Sequence, residues 1–208
     1  QRGLNLSSSG YSLGSTANPL RIGYAGLLMT TKGPQLIVES VIDLCREGYC
    51  IQVSFAGFEF QKGLKQYFEQ KFRQLSSSSC SWYFYGQLSR TQLSRFWSLQ
   101  HIGIFPFIFP EAFCIVGAEI MASGLILISS GVGGASELYD DGVSGLTFTP
   151  NSSASISSVV KTLLKSPRQL SDLASTASTH SLQYLDVRKS VSLIERLFEK
   201  YLSSLSFC

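Results

Sequence analysis

Apolar and polar residues along this chain alternate between two periods. Short apolar runs at 21–28, 51–56, 82–85, 102–109, 125–129 and 146–149 have the length of strands. Between them the spacing turns helical. Leu36, Ile37, Val38, Val41, Ile42 and Cys45 share one face after Pro34, which suits a first helical turn, and Gly48 follows as a stop. In 61–75, Leu64, Tyr67, Phe68 and Phe72 fall on one side, with Lys62, Lys65, Lys71 and Arg73 largely on the other. Further helices are expected over 91–99, 154–164, 168–178 and 187–202, with a loop at 76–79. Strands that alternate with helices imply right-handed crossovers and a parallel sheet covered on both faces. The expected fold is therefore α/β, a Rossmann-like parallel sheet with helices on both faces. Ligands of such sheets meet the carboxyl ends of the strands.

Residues 1–19 break the pattern, being rich in Ser, Gly and Asn without periodicity, and are expected to be a linker or mobile tail. The packed domain is expected over 20–185, with a last helix set apart in 186–208. With 208 residues, 44% of them hydrophobic, the chain suits one well-packed domain and is short for two. A net charge of +3, with no basic stripe or aromatic RNA-binding signature, argues against nucleic acid. Cys45, Cys50, Cys80, Cys114 and Cys208 are odd in number and lack metal or redox spacing. They read as reduced thiols in a cytoplasmic protein. No apolar run reaches the roughly 18 residues of a membrane span. The basic face from Lys62 to Arg73 could touch an anionic membrane surface, but a solvated helix face is the ordinary reading. The chain opens on Gln1, and a fragment is expected.

Candidate chemistry centres on Glu111 and Glu119, eight positions apart. Glu119 lies in the run Ile115-Val116-Gly117-Ala118-Glu119-Ile120-Met121, which offers no polar face, so its helix is expected to be buried. A carboxylate there is costly without donors. Those donors could be protein groups or the hydroxyls of a bound sugar or ribose. Glu111 is expected on a loop at a strand end, with the helix starting near Cys114 or Ile115. Helix N–H groups would then form an anion site between two carboxylates about 10 Å apart. Hydroxyls, then phosphate, then hydroxyls describe a nucleotide diphosphate sugar. The plainer alternative is a surface Glu111 and a Glu119 paired within the core.

Lys32, ahead of Gly33-Pro34, could bring an ammonium to a phosphate at a helix start, although an isolated loop lysine is ordinarily solvated. Gly131, Gly133 and Gly134 lack the acidic residue about 20 positions on that a dinucleotide fingerprint requires. They read as a turn that lets backbone approach a ligand, with Glu137 bracing it. His101 and His180 have no catalytic partner at a recognisable spacing and read as structural.

Three blocks in order resemble the C-terminal, donor-binding half of the retaining GT-B glycosyltransferases of the Glu-x7-Glu type (glycosyl transferases group 1, family 4). They are Gly26 through Gly33, Glu111 through Gly124, and Ser130 through Glu137 with Asp141-Gly142-Val143-Ser144-Gly145-Leu146. The resemblance implies sugar transfer from a nucleotide diphosphate sugar, needing no cofactor or metal. Lys32 and the helix start at Cys114, Ile115 and Val116 would hold the diphosphate, and Glu111 would face the sugar. Glu119 would take the ribose hydroxyls and Gly86 would lie near the base. Gly26, Gly33, Phe113, Gly133 and Gly134 would complete the donor site. The acceptor would sit on an N-terminal domain outside this chain. The family often has Arg where this chain has Leu27, and Gly and a larger aliphatic residue where it has Cys114 and Gly117. A binding-only module of the same fold therefore stays open, as does, more remotely, a dinucleotide-dependent oxidoreductase.

Overall fold

The structure, a computed structural model, describes residues 13–75 and 79–205. Among the described residues, six strands form one sheet in the order β3-β2-β1-β4-β5-β6. They are β1 (Leu20–Ala25), β2 (Ile51–Ala56), β3 (Cys80–Phe84), β4 (Ile102–Phe105), β5 (Ile126–Ser129) and β6 (Leu146–Thr147). Every pairing is parallel. The α-helices that connect and follow them are α1 (Pro34–Arg46), α2 (Leu64–Arg73), α3 (Arg90–Ser98), α4 (Ile115–Ala122), α5 (Ser153–Lys165), α6 (Pro167–Tyr184) and α7 (Val187–Leu205). The Rossmann-like α/β sheet expected from the sequence is the observed fold.

Alternation along each strand divides the core in two. Leu20, Ile22 and Tyr24 of β1 join Ile102, Ile104, Ile126 and Ile128 under α1, α2 and α5. On the other face Ala25, Phe105 and Leu127 meet Phe96, Trp97, Ile120 and Met121 of α3 and α4. Two strand glycines let those helices come close. A Cβ on Gly23 would lie 2.7 Å from the Trp97 ring, and one on Gly103 would lie 2.5 Å from Ile120.

Several boundaries differ from expectation. β4 ends at Phe105 rather than 109 because Pro106 follows and cannot donate to the ladder. β1 ends at Ala25 rather than 28, where Gly26 opens the loop. Leu13 is buried in the first core cluster, and the Gly14 carbonyl accepts from the Cys50 N–H at 2.7 Å. The packed chain thus begins ahead of the expected boundary at 19; residues 1–12, most of the loop at 76–79, and Cys208 lie outside the described residues. α7 exposes Val187, Val191, Ile194, Leu197, Phe198 and Leu202. No helix among the described residues is long and apolar enough to cross a membrane.

Candidate functional site

Loops from β1, β2, β4 and β5 lock together at the carboxyl edge of the sheet. The Gly26 N–H donates to the Ala56 carbonyl at 2.9 Å, and the Leu28 N–H to the Phe58 carbonyl at 2.9 Å. Gln61 Oε1 accepts from both the backbone N–H and the Oγ1 of Thr30, at 3.0 Å each. A 3₁₀ turn at Thr30–Lys32 follows, then Gly33 with φ 75°. A Cβ on Gly33 would lie 1.9 Å from the Pro106 carbonyl oxygen, so the β1 loop can touch the β4 loop only through glycine.

The β4 loop is gripped from the other side. Glu111 forms a parallel bridge with Gly133, and the Gly134 N–H donates to the Glu111 carbonyl at 2.7 Å. A Cβ on Gly134 would lie 2.1 Å from the Ala112 carbonyl oxygen. Ser130 Oγ donates to the Phe107 carbonyl at 2.7 Å. The close approach of Gly133 and Gly134 is thus to protein backbone, and its effect is to fix the loop that carries Glu111.

These contacts bring Lys32 and Glu111 into an ion pair, both side chains a little over a quarter exposed. The ammonium also lies 4.1 Å over the centre of the Phe107 ring, which the sequence did not mark. Leu27, where a second cation would be expected, is exposed.

Cys114 caps α4, and its Sγ accepts from the Gly117 N–H at 3.2 Å. The Ile115 N–H is taken by the Phe113 carbonyl at 3.2 Å. The Val116 N–H has no protein partner among the described residues. Burial pushes the Cys114 thiol up to about 12, so it is no nucleophile at neutral pH. A Cβ on Gly117 would sit 2.6 Å from that sulfur and 2.9 Å from Leu138. The two departures from the family pattern therefore fit each other, since the sulfur at 114 occupies the space a side chain at 117 would need. The expectation of a buried helix needs correction. Gly117, Ile120 and Met121 are buried, but Phe113 and Ile115 are more than half exposed. The sheet and α6 cover one side of α4, and the start of the helix is left open.

Glu119 lies on this helix opposite α3. Burial raises its pKa, while Arg90 and then the Trp97 indole oppose that shift. The sequence reading missed both partners, although Ser89-x-x-Gln92 was a legible signal. It forms a capping box, with Ser89 N–H to Gln92 Oε1 at 2.9 Å, and so starts α3 with Arg90 in its first turn. Gly86 adopts φ 66° after β3, and its carbonyl accepts from the Gly57 N–H at 2.7 Å.

Residues expected to be structural lie elsewhere. His101, at the amino end of β4, is buried and takes the Arg21 backbone N–H on Nδ1 at 3.1 Å. Burial, helped by Arg21, pushes it down to about 4. His180 approaches Asp140 at 3.9 Å. Glu137 is exposed.

A lysine and a glutamate thus meet beside a helix start at the carboxyl edge of a Rossmann-like sheet. Residues 12–180 match the family described as Glycosyl transferases group 1, and the chain belongs to that family. Its sequence is similar to the lipopolysaccharide 1,2-N-acetylglucosaminetransferase of Salmonella typhimurium, 30% identical over 137 residues, covering 64% of this chain and 36% of that protein. Its fold is similar to that of Anabaena Alr3699/HepE in complex with UDP and glucose, with TM-score 0.74 and 21% identity, covering 90% of this chain and 49% of that one. It is also similar to the C-terminal domain of LpcC, a glycosyl transferase group 1 family protein from Francisella tularensis, with TM-score 0.72, 21% identity, 80% of this chain and 86% of that one. The chain thus spans about a third of the Salmonella protein and about half of the Anabaena one. Family membership sets aside the dinucleotide-dependent oxidoreductase.

Proposed function

We propose that this chain is the donor-binding half of a retaining GT-B glycosyltransferase that takes its sugar from a nucleotide diphosphate sugar. The observation that carries this reading is the meeting of Lys32 and Glu111 beside the start of α4. They come from the loops after β1 and β4, the two strands between which the chain reverses its winding direction. In this reading the diphosphate draws the Lys32 ammonium away from Glu111 and lies against the first turn of α4. Charge grows on the diphosphate as its bond to the sugar breaks, and the ammonium and helix start stabilise it. Glu111, released, faces the sugar ring together with Phe113. Glu119 accepts the ribose hydroxyls, and the Gly86 turn lies near the base. Gly26, Gly33, Gly133 and Gly134 keep the surrounding loops close. The UDP and glucose seen in the Anabaena protein support this ligand class.

The acceptor would bind an N-terminal domain, and the apolar face of α7 would pack toward it. The free thiols Cys45, Cys50, Cys80 and Cys114 support a reducing, cytoplasmic setting. One observation favours a binding-only module instead: exposed Leu27 leaves Lys32 as the main charged contact to a diphosphate.

Calorimetric titration with UDP, GDP and NAD, followed by incubation with labelled nucleotide sugars and a panel of acceptors, tests the reading. A nucleoside diphosphate should bind, NAD should not, and the chain alone should transfer almost no sugar. Without the second domain it loses the positioning of the acceptor, worth effective molarities of roughly 10⁵ M or more. Binding of NAD alone would overturn the donor assignment. Robust multiple turnover would overturn the assignment of this chain as half of a site.

A further inference from the structure

Trp97 heads the fully buried side chains of the domain, being 1% exposed, yet its indole N–H has no hydrogen-bond partner. Leaving a buried donor unpaired is costly, so such a group calls for an explanation. The ring has little freedom to escape. It lies against Gly23 of β1, in the position a Cβ would need, and packs edge-on to Phe96 with centroids 4.9 Å apart. Held this way, the indole is near enough to the Glu119 carboxylate of α4 to favour its ionised form, yet it closes no hydrogen bond of ordinary geometry to it.

The other groups around Glu119 are few. Arg90, from the first turn of α3, is the charged group that acts on it. β4 and β5 carry no charged residue. On α6, His180 lies against Asp140 instead.

We propose that Trp97 is a positioning residue for Glu119: its unpaired indole N–H closes on one carboxylate oxygen when a nucleotide binds, which leaves the remaining lone pairs for the two hydroxyls of the ribose. This rests on the reading that Glu119 receives ribose. A free carboxylate on a helix can turn among several rotamers, and a fixed donor at its back selects one. The same donor favours the ionised form against burial. Ionisation matters because a protonated carboxyl offers an O–H where a second hydroxyl must donate.

The test replaces Trp97 with benzothienylalanine, an isostere with sulfur in place of N–H, and separately makes Trp97→Phe. UDP affinity is measured calorimetrically from acid to neutral pH, alone and in a Glu119→Gln background. At neutral pH both variants should bind UDP roughly 3- to 10-fold more weakly. The acid limb of the binding profile should move to higher pH, because losing the donor raises the Glu119 pKa. In Glu119→Gln, where nothing titrates at that position, the isostere should leave the pH profile unmoved. An isostere that binds as the parent does, with an unmoved acid limb, overturns the proposal.

If Glu119→Gln itself binds UDP like the parent, the ribose reading is what fails. Trp97 is then judged by titrating Glu119 through its ¹³C carboxyl shift. An unchanged Glu119 pKa in the isostere overturns the contact, and a raised one leaves Trp97 orienting a carboxylate of another purpose.

Discussion

Glu111 and Glu119 stand two helical turns apart in sequence, yet the molecule holds them in opposite ways. Glu111 is placed by its backbone: Gly133 bridges it on one side, the Gly134 N–H donates to its carbonyl, and its side chain reaches Lys32. Glu119 sits on an ordinary helix rung, and its surroundings act on the charge itself through burial, Arg90 and Trp97. One carboxylate is fixed by where the chain can go, the other by how comfortably it can ionise. Damage to the loops that place the first should show in folding, and damage to the second in ligand affinity and pH dependence.

The strongest way to break this contrast is Gly33→Ala. The new Cβ would meet the Pro106 carbonyl oxygen at 1.9 Å, in a backbone with φ 75°. Overpacking and left-handed strain together should cost about 3 kcal/mol, lowering the Tm by roughly 10 °C. A melting curve within a degree of the parent would show that the loops are not locked through this contact.

A second measurement calibrates burial against the same sheet. His101 is held near 4 in the fold, against 6.5 when exposed. Between those values the unfolded chain binds a proton that the folded chain refuses. Stability should therefore fall as pH drops from about 6.5 toward 4, by up to about 3 kcal/mol. Urea midpoints across that range should show the slope, and His101→Gln should flatten it. A parent without the slope would weaken the case that burial here also shifts Glu119.

The third comparison sets two side chains against each other. Glu119→Gln should lower nucleotide affinity by about 1–3 kcal/mol with little loss of stability. Lys32→Met should lower affinity by about 1–2 kcal/mol, since its charge-assisted contact is lost. The part-exposed Lys32–Glu111 pair should contribute under about 1 kcal/mol to stability. Calorimetry and melting curves on both variants read all of these. If Lys32→Met destabilises the fold more than it weakens binding, the pair is structural.

The frame was legible because each piece carries its own periodicity. β2 runs over 51–56 as read, and α1 begins at Pro34. Both glutamates and Lys32 were visible because loop ends and an out-of-place charge are local signals. The contacts that give them meaning were not. Phe107 under Lys32 and Trp97 beside Glu119 join residues far apart in the chain, and no local pattern tells which way a side chain points across a sheet edge. Leu13 was missed because one apolar residue in a Ser- and Gly-rich stretch has no period. The burial of α4 was overread because an apolar composition does not say which side the sheet covers.

The two rims of the sheet differ in a way that bears on keeping the protein in solution. β6 pairs with β5 at only Leu146 and Thr147, too short a template for another chain. β3 is longer, and its residues divide. Trp82 stacks on Phe72 at 5.6 Å and Phe84 on Phe55 at 5.2 Å, while Tyr83 and, just past the strand, Tyr85 are nearly half exposed. A molecule loosened by any substitution above should therefore begin to aggregate by strand addition at β3, and a lysine in place of Tyr83 is where solubility would be regained.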